Sequence, residues 1–116
     1  MPKKILIVDD DPNIVSYLTD LFEDNGYDTC AATGGKEAMD QTKEQKPDLI
    51  TLDLEMPEEW GPRFYRKLQK ENEFKEIPII VVSGLSDIDH AIKNAAAVVS
   101  KPFDRDSLKI VKDNIG

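Results

Sequence analysis

Apolar residues along this chain gather into short unbroken runs, separated by longer segments in which they recur at helical spacing. The runs are "KILIV" (4–8), "YDTCAA" (27–32), "DLITLD" (48–53), "IPIIVV" (77–82) and "AAVVS" (96–100). Most are continuously apolar, as in parallel strands covered on both faces. Between them, Ile14, Val15, Leu18, Leu21 and Phe22 fall on one helix face, and Gly26 in "NGY" offers a left-handed stop. A second helical segment, about 36–45, turns only Ala38, Met39 and Thr42 inward. A third starts at Gly61-Pro62, where proline suits the first turn, and presents Phe64, Tyr65 and Leu68. A fourth, about 87–95, would bury Ile88, Ala91, Ile92 and Ala95, and a fifth runs from about Asp104 with Leu108, Val111 and Ile115.

A β-α unit repeated in this way predicts a parallel sheet with right-handed crossovers and helices on both faces. The expected fold is doubly wound (βα)5 and flavodoxin-like, with five strands in the order 2-1-3-4-5. No internal repeat, low-complexity tract or linker-like segment interrupts the pattern, so residues 1–116 are expected to form one domain with no output domain attached. Ligands of such sheets bind beyond the carboxyl ends of the strands where the strand order reverses, here between strands 1 and 3.

The residues predicted at those ends carry the candidate chemistry. They are Asp9 and Asp10 after strand 1, Asp53 at the end of strand 3, Ser83 after strand 4 and Lys101 after strand 5. Carboxylates gathered within a few ångströms oppose one another's ionisation, and a cation or protons relieve this. Magnesium suits a site with one or two carboxylates, waters and phosphate oxygens. A serine hydroxyl and a lysine ammonium add a donor and a positive charge for an anionic group. Asp53, alone on the central strand between the acid pair and the Ser/Lys pair, is the candidate nucleophile for a covalent acyl phosphate.

Composition narrows the partners. With 116 residues and 40% hydrophobic content the chain can bury one ordinary core. A net charge of −8 argues against nucleic-acid binding, which rests on cationic neutralisation of phosphates. No apolar run approaches the roughly 20 residues that span a bilayer, and "MPKK" is followed by too few apolar residues for a signal peptide. A cytoplasmic location without membrane association is therefore expected. A single cysteine, Cys30, excludes an internal disulfide and reads as core filler in a short strand.

Four segments in order, "ILIVDDDP", "PDLITLDLEMP" with Gly61 following, "IPIIVVSG" and "SKPF", make the chain resemble a receiver domain of two-component response regulators over essentially its whole length. The resemblance implies a signalling domain, not an enzyme beyond its own phosphorylation and dephosphorylation. It implies that Asp53 accepts phosphate from a sensor histidine kinase or histidine phosphotransfer protein. It further implies that Asp10 binds Mg²⁺ directly, that Asp9 assists largely through water, and that Asp53 and the Glu55 backbone carbonyl are further ligands. Ser83 would hydrogen-bond the phosphoryl group, Lys101 would pair with it and with Asp53, and the Lys101-Pro102 bond would be cis.

Several residues have plainer readings. Asp11 before Pro12 reads as a helix N-cap rather than a metal ligand. Asp9, Asp10, Asp53 and Lys101 could each be solvated surface groups, a reading that their shared rim weighs against. The Glu55 side chain stays unassigned between exposure and influence on an attacking water. His90, the sole histidine, reads as surface, and Trp60 as partly exposed packing near the site.

Two features depart from the family pattern. Val98 occupies the switch position where an aromatic residue usually stands, so the usual rotamer relay cannot operate. Ser83 and Lys101 are also closer in sequence than is usual, by roughly one helical turn. Both departures fall on the face formed by the fourth helix, fifth strand and fifth helix, which many receivers use for homodimerisation or for docking an output partner, here unidentified. Two rival readings follow: a phosphorylation-independent pseudo-receiver binding module, and a haloacid-dehalogenase-type phosphotransferase suggested by Asp53-Leu54-Glu55.

Overall fold

The structure, a computed structural model, describes residues 2–53, 60–83, 97–100, 103 and 105–115. The chain alternates strand and helix: β1 (Lys4–Val8), α1 (Pro12–Asp24), β2 (Asp28–Ala32), α2 (Gly35–Gln45), β3 (Leu49–Asp53) and α3 (Trp60–Lys70). It continues through β4 (Ile79–Ser83), β5 (Ala97–Ser100) and α4 (Arg105–Ile115). The helix expected over 87–95 lies outside the described residues, and α4 is the one expected from about Asp104.

All strand pairs are parallel, in the order β2-β1-β3-β4-β5. Alternate residues of each strand face opposite sides, and both sides are apolar, which divides the core into two layers. Leu6, Val8, Ile50 and Leu52 pack toward Ala38 of α2 and Phe64 and Leu68 of α3. Ile5, Ile7, Leu49 and Ile80 pack toward Leu18 and Phe22 of α1 and Leu108 and Val111 of α4. Every residue of β3 is buried, as befits the middle strand of a sheet covered on both faces.

Local signals explain where the elements start and stop. The Asp11 carboxylate accepts from the Asn13 amide at 2.9 Å and Pro12 takes the first turn of α1. The helix ends at Asn25, and Gly26 follows with φ of 90°, a left-handed conformation that glycine adopts freely. Helix α2 ends differently: Lys46 adopts φ of 47°, at a steric cost of about 1 kcal/mol or more for a residue with a Cβ. Pro47 follows immediately and cannot continue the helix. The chain is recaptured one residue later, where the Asp48 amide donates to the Lys4 carbonyl at 2.8 Å and the Lys4 amide donates to the Asp48 carboxylate, also at 2.8 Å. Strand β4 starts after Pro78, which lacks an amide hydrogen but accepts from Ile50 at 3.0 Å.

Candidate functional site

Strand register brings the candidate acids together. Val8 of β1 is in register with Leu52 of β3, so the residues that follow, Asp9 and Asp53, emerge side by side at the carboxyl edge. This is where the chain turns from β2 on one flank of β1 to β3 on the other, the reversal of strand order. The Asp9 amide still pairs with the Ala32 carbonyl at 3.1 Å, so residue 9 extends the ladder and is buried with it. Asp9 is 3% exposed and Asp53 2%, whereas Asp10 is exposed.

One carboxylate oxygen from each of Asp9, Asp10 and Asp53 lies within 4.8 Å of the other two. Two unit charges at that separation repel by about 3.5 kcal/mol at an effective dielectric constant of about 20. Among the described residues the donor set is all oxygen, and a set of this charge fits a hard divalent cation such as Mg²⁺. Burial of two of the three acids separates this cluster from ordinary exposed acidic surface.

The Asp9 carboxylate is oriented from the main chain. Its Oδ1 accepts from the Asp11 amide at 2.9 Å, and the Asp11 carboxylate in turn accepts from Asn13. The sequence marks Asp11 for the helix alone; the signal for the second bond is Asp9, since an aspartate side chain commonly accepts from the amide two residues on.

Ser83 is the last residue of β4 rather than the first of the following loop, and it is in register with Ser100. Because Asp53 is in register with Val82, the Ser83 backbone stands one step beyond it on the adjacent strand. Val98 lies within β5, opposite Val81. Trp60 opens α3. Cys30 is partly buried on β2 against the core, and burial raises its thiol pKa while Lys4 lowers it in part. Glu55, Lys101, Pro102 and His90, and the side chains of Ser83 and Val98, lie outside the described residues.

Comparison with known proteins places this geometry. The model of the response regulator receiver domain matches residues 5–111. Protein Rrf1 of Nitratidesulfovibrio vulgaris is 38% identical over 104 residues, spanning 90% of this chain and 75% of Rrf1. The polar-differentiation response regulator DivK of Brucella anthropi is 36% identical over 107 residues, spanning 89% of this chain and 87% of DivK. In fold, the chain is similar to the chemotaxis response regulator CheY4 of Vibrio cholerae, with a TM-score of 0.89 over 100% of both chains at 24% identity.

Proposed function

Because the chain belongs to the response regulator receiver domain family of two-component signalling, we propose that it is a phosphoacceptor whose acceptor is Asp53, fed by a sensor histidine kinase or a histidine phosphotransfer protein. The observation that carries this reading is the approach of Asp9, Asp10 and Asp53 to within 4.8 Å where the strand order reverses.

In the proposed reaction a carboxylate oxygen of Asp53 attacks the phosphorus of the donor phosphohistidine. The new O–P bond forms as the P–N bond breaks, and its electron pair returns to the imidazole nitrogen. Asp9, Asp10, Asp53 and the Glu55 carbonyl are the proposed holders of Mg²⁺, which when bound would offset the charge of the carboxylates and of the phosphoryl oxygens. Burial fixes the attacking carboxylate in one place, and the Asp11 amide fixes Asp9 beside it. Ser83 would donate its hydroxyl to the phosphoryl group, and Lys101 would pair with it. The Lys101-Pro102 bond is proposed to be cis.

Phosphorylation then shifts the domain between two conformational populations that an output partner distinguishes. With Val98 at the switch position, the relay runs through movement of the loop after Ser83 rather than an aromatic rotamer. The face of residues 87–95, β5 and α4 is the proposed surface for the output partner or a homodimer. On this reading the domain is a cytoplasmic signalling component that turns over only its own phosphoryl group. No helix among the described residues is long and apolar enough to cross a membrane. Val98 also favours a second reading, a pseudo-receiver that binds its partner without phosphate.

Incubation with Mg²⁺ and acetyl phosphate, followed by intact mass, distinguishes the two. A single base-labile phosphoryl adduct that is lost in Asp53→Asn is the expected result. No adduct, with weak Mg²⁺ binding, would leave the pseudo-receiver.

A further inference from the structure

Four lysines converge on a groove between α2 and α3. Lys36 and Lys43 are two helical turns apart on α2, and Lys67 and Lys70 lie within one turn of each other on α3. All four are exposed, and Met39 lies between them as an apolar patch. The groove encloses about 590 Å³, room for several side chains rather than a single ion. Asp40 and Glu71 also line it, so the lining carries a net positive charge in a chain whose total is −8.

Among the described residues none of the four forms an ion pair, although Asp40 and Glu71 stand at i+4 from Lys36 and Lys67. Lys46 and Glu73, nearby in sequence, do pair, at 3.9 Å. Neighbouring like charges destabilise a helix pair slightly and contribute nothing to its core. Among the described residues their gathering has no ion-pair counterpart, a role that an opposite charge outside the chain would fill.

We propose that the α2–α3 groove docks an acidic protein segment, whose carboxylates meet Lys36, Lys43, Lys67 and Lys70 and whose apolar residue covers Met39. Methionine suits this use because its unbranched thioether adapts to different apolar partners. The acidity of the rest of the chain selects a short acidic segment over a nucleic acid: a polyanion extending past the groove meets repulsion. Exposed lysine–carboxylate pairs are individually weak and screened by salt, so the contact is a transient, salt-sensitive one. The groove includes none of Asp9, Asp10 and Asp53, and the inference stands apart from the phosphoacceptor reading.

The probe is a fluorescein-labelled amphipathic peptide with glutamates flanking a leucine, titrated into the ¹⁵N-labelled protein. Amide shifts should concentrate on 36–43 and 67–71. In fluorescence anisotropy, Lys43→Glu/Lys67→Glu/Lys70→Glu should weaken binding about tenfold or more, and the corresponding glutamine triple variant should weaken it less. Asp53→Asn should bind as the parent does. Shifts centred elsewhere, or charge reversal without effect in a variant whose circular dichroism is unchanged, would overturn the proposal. Tighter binding of a single-stranded oligonucleotide through the same lysines would overturn it in favour of a nucleic acid.

Discussion

The main-chain amide of Asp11 donates to Oδ1 of Asp9 at 2.9 Å, while the Asp11 carboxylate caps α1 through Asn13. One residue thus serves the site with its backbone and the helix with its side chain, and a substitution can separate the two. Asp11→Ala removes the cap and keeps the amide. It should cost about 1 kcal/mol and lower Tm by about 3–5 °C, with Mg²⁺ affinity unchanged in isothermal titration. Asp10→Asn should do the reverse, since its exposed carboxylate supports no helix and its charge is screened by water: in chelator stability holds, while Mg²⁺ affinity falls about tenfold or more.

On the proposed Mg²⁺ site, the crowding of Asp9, Asp10 and Asp53 should make stability depend on the cation. In chelator, Asp53→Asn should unfold at higher urea than the parent, by an amount on the order of 1 kcal/mol, because one member of the repelling set becomes neutral. Adding Mg²⁺ at about a hundred times its dissociation constant should stabilise the parent by about 2.7 kcal/mol. The same addition should move Asp53→Asn much less. Equal Mg²⁺ responses in the two proteins would place the cation elsewhere.

How much of this was legible in the sequence depends on which physics sets each feature. Helix α1 was readable because Ile14 to Phe22 repeat at helical spacing and both ends carry local signals, Asp11-Pro12 and Asn25-Gly26. Helix α2 ends at Gln45, as the expected 36–45 has it, but the left-handed turn at Lys46 was not legible, since sequence rules reserve that conformation for glycine or asparagine. The carboxylate cluster was readable because a parallel sheet aligns its carboxyl ends, so position along the strand suffices. The difference between Asp9 and Asp10 was not, because it depends on residue 9 holding its pairing with Ala32. The lysine groove is illegible for a similar reason: its members lie on two helices, under an overall charge of the opposite sign.

Phe22 ties α1 to the segment that follows the Lys101-Pro102 pair. Its ring is fully buried, and it meets Phe103 edge-to-face at a centroid distance of 5.7 Å and Tyr27 at 6.5 Å. Phe22→Ala should cost about 3–5 kcal/mol in urea unfolding, through lost burial and the cavity left behind. Phe22→Leu keeps most of the volume and should cost less than about 1.5 kcal/mol. A double-mutant cycle between Phe22→Leu and Phe103→Leu should return a coupling of about 0.5–1.5 kcal/mol, the share owed to ring geometry. Additive costs would mean that the two rings only fill space.

Alkaline pH should weaken the fold through Cys30. Burial raises its thiol pKa above the ordinary 9.0, with Lys4 opposing in part, and burial raises the Tyr27 hydroxyl above 10.0. A group whose pKa is higher folded than unfolded holds its proton more tightly in the folded state, so its stabilisation is complete below the unfolded pKa. It is lost as pH rises from that value through the folded one. Urea midpoints should therefore hold steady to about pH 8 and fall above pH 9. Cys30→Ala should flatten the first part of that fall, leaving a smaller decline above pH 10 from the partly buried Tyr27. Thiol alkylation gives an independent reading: the rate against pH should titrate above that of a free cysteine peptide. Lys4→Met should push the midpoint higher still by removing the opposing charge. An alkylation midpoint at or below the peptide's would show that Lys4 outweighs burial, and the alkaline loss of stability would then have to come from elsewhere.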